Sequence, residues 1–199
     1  MTRFLLVRHA AVDPVGVAIA GRAPGVPLND AGREQASRIA SAMAAVTVGA
    51  VYTSPLERAR ETAEPIARAH GLDARVNDAF TEVDFGEWTG QSLRALGGDE
   101  RWRRFNTFRS GERIPGGELM AEAQLRAVRG LEQLRGVHGD ATVVIVSHAD
   151  VIRATLAYYL GMPIDLMQRL EIAPASVSAL ALDDWCVTVT HVNDEAYAR

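Results

Sequence analysis

Two apolar runs that each end in a histidine constrain this chain more than any other feature. "FLLV" at residues 4–7 leads directly into Arg8 and His9, and "TVVIVS" at 142–147 leads directly into His148. Short continuous apolar runs are the pattern of strands buried on both faces, and such strands belong to parallel sheets covered by helices. Ligands of open α/β sheets collect at the carboxyl ends of the strands, where both histidines stand.

The rest of the chain supplies the helices. After a Gly/Pro-rich loop, Asn29 can cap a helix whose Ala36, Ile39, Ala40 and Met43 share one face. "AVYTSPLERARETA" repeats the strand-to-helix step, with Ser54 as expected N-cap, Pro55 at the first helical position and Glu57 completing a capping box. This puts Arg58 near a helix amino terminus, and Pro65 is expected to kink or end that helix. Residues 80–117 are less regular and read as a small helical insertion over one sheet edge, covering the candidate site. A helix over 118–135, the strand ending at His148 and an Ala/Leu-rich helix over 150–160 follow. "SVSALAL" and "CVTVTHV" alternate like an antiparallel hairpin. With no linker, low-complexity tract or repeat, the expectation is a single α/β domain over 1–199.

The 199 residues carry a net charge of −4, with every basic side chain an arginine. That balance gives no support to nucleic-acid or membrane binding driven by overall charge. Cys186 is the lone cysteine, so neither an internal disulfide nor a thiolate metal cluster can form. "MTRFLLVRHA" has no stretch long enough for a signal peptide or a membrane span, and the expected location is cytoplasmic.

The two strand-end histidines suggest phosphoryl chemistry. A neutral imidazole at His9 is a competent nucleophile near pH 7 and would form a phosphoramidate with phosphorus. Charge spread over the phosphoryl oxygens calls for fixed cationic donors, which Arg8, Arg58 and His148 can supply together with the helix end near Ser54. The leaving alkoxide needs a proton, and Glu82 in "FTEVDFGEWTG" sits among Phe80, Phe85 and Trp88, whose desolvation would raise its pKa.

Each residue also has an ordinary explanation. Chance alone gives about 0.5 Arg-His pairs in a chain with 21 Arg and 5 His. His148 alone reads equally as a core histidine on a backbone carbonyl, Arg58 as a solvated helix charge paired with Glu61, and Glu82 as a surface carboxylate. Arg22 in "AGRAPG" is an expected substrate-binding residue at the same mouth, or merely a solvated loop charge. Arg101, Arg103, Arg104, Arg109 and Arg113 interleave with Trp102, Phe105 and Phe108, either as a rim for an anionic or aromatic leaving group or as a short amphipathic helix. Asp13, Asp84 and Asp150 lie close enough in sequence to the site residues to keep a metal-dependent phosphoesterase as a rival.

In combination, "LLVRHA", "VPLNDAGREQA", "VYTSPLERARETA", "FTEVDFGEWTG", "IPGGE" and "VVIVSHADVIR" resemble, in order, the segments of the histidine phosphatase superfamily, the phosphoglycerate mutase-like family. The resemblance covers residues 5–153. It implies a three-layer α/β/α sandwich with a mostly parallel central sheet and a metal-free, cofactor-free hydrolase. It further implies a phosphohistidine at His9, a phosphate pocket of Arg8, Arg58 and His148, Glu82 as proton donor and a small-molecule phosphomonoester as substrate. The chain departs from the family after His9, where Ala10, Ala11, Val12 and Val15 replace a Gly-Glu-Thr run and a later Asn, so that Asn contact is not carried over. The loop "DPVGVAIAGRAPGVPL" loosely resembles the α-ribazole phosphatase branch. Mutase-type phosphoryl transfer and a catalytically silent phospholigand-binding protein are the alternatives. Oligomeric state is unread, with a homodimer open.

Overall fold

The computed structural model describes residues 1–13 and 17–198. Six strands form one sheet: β1 (Thr2–Arg8), β2 (Ala50–Thr53), β3 (Ala74–Val76), β4 (Thr142–Ser147), β5 (Val177–Leu182) and β6 (Val187–Asp194). Their order is β3-β2-β4-β1-β5-β6. The first four run parallel, while β5 is antiparallel to β1 and β6 to β5. Phe4, Val7 and Val143 to Val146 have essentially no exposure, as expected of strands covered on both faces.

Helices α1 (Asp30–Met43) and α2 (Glu57–Ala69) cover one face over Leu5, Val7, Val51, Val144 and Val146. The other face packs Phe4, Leu6, Tyr52, Val143 and Ile145. Covering it are α5 (Met120–His138) and α6 (Ala149–Tyr159), with the short α3 (Leu93–Leu96) and α4 (Glu100–Thr107) between β3 and α5. The result is the expected three-layer α/β/α arrangement with a mostly parallel sheet and a carboxyl-terminal hairpin.

Local signals succeed where one segment decides. The Asn29 side chain accepts from the Gly32 amide at 2.8 Å and caps α1, whose Ala36, Ile39, Ala40 and Met43 are all buried. Two expectations need correction. Ser54 does not cap α2 and no capping box forms: the helix starts at Glu57 with Leu56 at the N-cap and no side-chain cap bond. Pro65 neither ends nor bounds the helix but lies inside it. Pro65 and Glu61 are only half-buried, so the carbonyl left without a donor can be hydrated, while Ala59, Ala63 and Ile66 hold the other side in the core. Residues 80–117, the small helical insertion expected over the active site, pack into the α5–α6 core through Trp88, Leu96, Phe105 and Ile114 and bring Glu82, Phe85 and Gly90 to a cavity at the strand ends.

Gly32 reports how tightly the chain after His9 is seated. A Cβ there would lie 2.1 Å from the Ala11 carbonyl oxygen, which also accepts from the Asn29 amide. In an open helix Gly→Ala adds about 1 kcal/mol of stability. At this position the clash reverses the sign, and Gly32→Ala is expected to destabilise the fold by about 1–3 kcal/mol. Urea unfolding decides it: an unchanged or raised midpoint would show that the loop after His9 is not packed as described.

Candidate active site

Strands β2, β4 and β1 lie side by side and parallel, so their carboxyl ends open onto one edge. The ladder continues one residue past each strand: the His9 amide donates to the Ser147 carbonyl at 2.9 Å, and the Ser54 amide to the Val146 carbonyl at 3.0 Å. His9, Ser54 and His148 are thereby brought together from three distant parts of the sequence. The two imidazole centroids lie 5.2 Å apart.

His9 is 6% exposed. Its Nδ1 lies 2.8 Å from the Ala10 carbonyl oxygen. A carbonyl only accepts, so Nδ1 carries the proton and Nε2 keeps a free lone pair. Burial, with Arg58 and Arg8 beside it, pushes the His9 pKa down to about 3. The ring is neutral at physiological pH. The Ala10 amide is itself tied to the Thr62 hydroxyl at 3.0 Å, which donates to the Arg58 carbonyl at 2.7 Å.

Arg58 is 1% exposed, which removes the reading as a solvated helix charge. Glu61 does not pair with it but accepts from the Leu28 amide, and Glu57 accepts from the Gly25 amide, so both clamp the preceding loop. Arg58 donates one Nη to the Gly21 carbonyl at 2.8 Å, while its other Nη is buried without a partner among the described residues. Arg8 donates to the Ile172 carbonyl at 2.6 Å, and its Nε likewise is buried with no partner among the described residues. Desolvation lowers the pKa of both guanidiniums.

His148 is fully buried, and its Nε2 lies 2.8 Å from the Ser54 hydroxyl oxygen, not on a backbone carbonyl. Its Nδ1 has no hydrogen-bond partner and faces the Glu82 carboxylate at 3.7 Å. Burial and the neighbouring His9 and arginines hold the His148 pKa well below the usual value. The Glu82 pKa is pushed up to about 7, first by burial and then by the Asp150 carboxylate. One Glu82 oxygen accepts from the Val83 amide at 2.9 Å.

Arg22 takes a different place from the one expected. Its Nε donates to the Glu82 carbonyl at 2.7 Å and one Nη to the Glu118 carboxylate at 2.9 Å. Arg22 is not among the residues that line the cavity. Arg126 joins the same carbonyl and the same carboxylate. The "IPGGE" segment thus contributes Glu118 as the hub that fixes the backbone under Glu82. Of the Arg/aromatic stretch, Phe105 is buried and Phe108 exposed, Arg104 pairs with Glu112 and Arg113 with Glu122. Arg109 alone turns inward, 3% exposed, over the Phe105 ring at 4.4 Å and 3.5 Å from Asp150. Asp150 also binds Arg153 at 2.9 Å, and Asp13 accepts from the Asn29 side chain. Among the described residues no three His, Cys, Asp or Glu side chains group as a metal site would require. Val15, which marks the departure after His9, lies outside the described residues.

The structure therefore gathers Arg8, His9, Arg58 and Glu82 around one cavity of about 390 Å³, a size that admits a small metabolite, with His148 fully buried against His9 and Glu82 just outside its lining. Sequence reasoning missed Ser54 and Thr62 as orienting hydroxyls. Ser54 was visible, but as a helix cap.

A model of the histidine phosphatase superfamily (branch 1) matches residues 4–195. Phosphoserine phosphatase 1 of Hydrogenobacter thermophilus is 30% identical over 191 residues, covering 92% of this chain and 88% of that protein. The bifunctional protein Rv2228c of Mycobacterium tuberculosis is 34% identical over 205 residues, covering 98% of this chain, which spans only 55% of that longer protein. Proteins named probable phosphoglycerate mutase match as well. Among solved structures, the α-ribazole phosphatase of Shigella flexneri superposes with a TM-score of 0.86 at 27% identity, covering 98% of this chain and 97% of that one.

The raised Glu82 pKa depends in part on Asp150, so Asp150→Asn is expected to lower it from about 7 toward the ordinary carboxylate value. Carboxyl-carbon NMR titration of Glu82 in both proteins measures this. An unchanged midpoint would assign the shift to burial alone.

Proposed function

Because the chain belongs to the histidine phosphatase superfamily, we propose that it hydrolyses phosphomonoesters of small metabolites through a phosphohistidine formed at His9. One observation carries the proposal: the His9 Nδ1 is tied to the Ala10 carbonyl, leaving a neutral Nε2 in a cavity beside two buried arginines with unpartnered donors. Unpartnered buried guanidinium nitrogens are costly unless an anion takes them up. A phosphoryl group fits that need.

In the first step the His9 Nε2 lone pair forms the N–P bond as the ester P–O bond breaks. Arg8, Arg58 and His148 receive the charge on the phosphoryl oxygens. We assign the His148 proton to Nδ1, with the Ser54 hydroxyl donating to Nε2. Glu82, protonated in a large share of molecules near pH 7, gives its proton to the leaving oxygen. In the second step the Glu82 carboxylate takes a proton from water, the water oxygen bonds phosphorus, and the N–P electron pair returns to His9. Arg22, with Arg126 and Glu118, positions Glu82 and does not touch substrate. No metal or other cofactor enters either step, and the cytoplasm suits the free, exposed Cys186.

Wild type is expected to release phosphate from a panel of monoesters in excess EDTA, and His9→Ala to lose both this and phosphoenzyme labelling. Glu82→Gln should slow poor leaving groups by roughly 10²–10⁴-fold and 4-nitrophenyl phosphate far less, since nitrophenolate leaves unaided. The wild-type kcat/KM on a poor leaving group should fall as pH rises through about 7, because Glu82 donates only while protonated, and E82Q should lose that limb. Loss of turnover with EDTA would favour a metal enzyme. Binding of phosphate without turnover or labelling would favour a silent ligand-binding protein.

A further inference from the structure

We infer that the enzyme selects leaving groups that are apolar and carry no carboxylate, so that phosphoserine and 3-phosphoglycerate are poor substrates. The inference rests on the phosphatase reading above and assigns the substrate class of that site.

Among the described residues, Arg8 and Arg58 are the only cations lining the cavity, and both are committed to the phosphoryl group by the proposed mechanism. Of the residues next to the cavity-lining Asp13 in sequence, Pro14, Val15 and Gly16 are uncharged. The wall remaining for the leaving group is built from Val12, Ile19, Ala23, Val26 and Phe85. The three carboxyl side chains on the cavity surface are Asp13, Glu82 and Asp150.

A carboxylate on the leaving group would lose its hydration against this wall, meet no free cation and lie near carboxylates of its own sign. The nearby arginines do not relieve it. Arg22 is spent on Glu82 and Glu118, and Arg153 is bonded to Asp150 and the Leu170 carbonyl. Arg109 is 3% exposed and outside the lining, and its charge faces the Asp150 carboxylate at 3.5 Å. An aryl or alkyl group gains burial against the same wall without any of these costs. The same costs count against mutase-type transfer on a phosphoglycerate.

The test compares phenyl phosphate with 4-carboxyphenyl phosphate, with phosphoserine and 3-phosphoglycerate alongside, on wild type and on Ala23→Arg, which places a cation in the apolar wall. Wild-type kcat/KM is expected to favour phenyl phosphate by roughly 10- to 100-fold, and A23R to narrow that ratio by about tenfold by raising turnover of the carboxylate. Equal kcat/KM for the two aryl esters, or faster turnover of phosphoserine than of phenyl phosphate, would overturn the selectivity and leave the phosphatase intact. Failure of every ester, with no label on His9, would overturn the phosphatase reading and this inference with it. The wild-type comparison decides even if A23R does not fold.

Discussion

The parallel register of β1 against β4 is the constraint on which the site rests. Arg8 is paired with Ser147, so the next residue on each strand is a histidine, and the His9 amide bonding the Ser147 carbonyl locks the two together. A slip of one residue would turn every side chain of β1 to the opposite face, exchanging Leu5 and Val7 with Phe4 and Leu6 between two different cores. The pairing of the two histidines is therefore as strongly specified as the hydrophobic pattern. The same edge receives Ser54 from β2, whose hydroxyl fixes the His148 ring.

Burial at the cavity then moves two titrations in opposite directions. Burial disfavours charge on both His9 and Glu82, which lowers the pKa of the base and raises that of the acid. Neighbouring charges add to each effect: Arg58 and Arg8 repel a proton from His9, while Asp150 retains one on Glu82. A neutral imidazole and a protonated carboxyl group therefore coexist at one pH, as the proposed mechanism requires and as a solvated pair with ordinary pKa values would not achieve. Burying Arg58 and Arg8 is costly, and part of that cost is offset by the Gly21 and Ile172 carbonyls, with the rest left to the phosphoryl group of the proposed mechanism.

What was legible in the sequence is what one segment decides alone. The apolar runs gave the buried strands, Asn29 gave its cap, and the alternating tail gave its hairpin. What was illegible depends on partners far away in the chain. Ser54 has the right neighbours for a capping box, yet its hydroxyl goes to His148, 94 positions on. Arg22 looks like a free loop charge until the fold places the Glu82 carbonyl and Glu118 against it. Arg109 reads as one of five equivalent arginines, and only the packing of Phe105 selects it for burial. Thr62, inside an ordinary helix, gave no signal at all, because its role is to receive the Ala10 amide from another strand's end.

Glu82 shows why such distant contacts are needed. It lies on a loop, where backbone mobility ordinarily works against the placement a general acid requires. The Glu82 carbonyl accepts from Arg22 and Arg126, and Glu118 binds both guanidiniums and the Asp84 amide. Gly86, at φ +45, completes the seat: a Cβ there would lie 2.1 Å from the Pro115 carbonyl oxygen, so "DFGEW" and "IPGG" can stack backbone on backbone. The network holds the main chain, and the carboxyl, with one oxygen on the Val83 amide, faces His148 and the cavity. Position is thus fixed by charged groups outside the cavity lining, and the carboxyl is left to the proton transfer proposed for it.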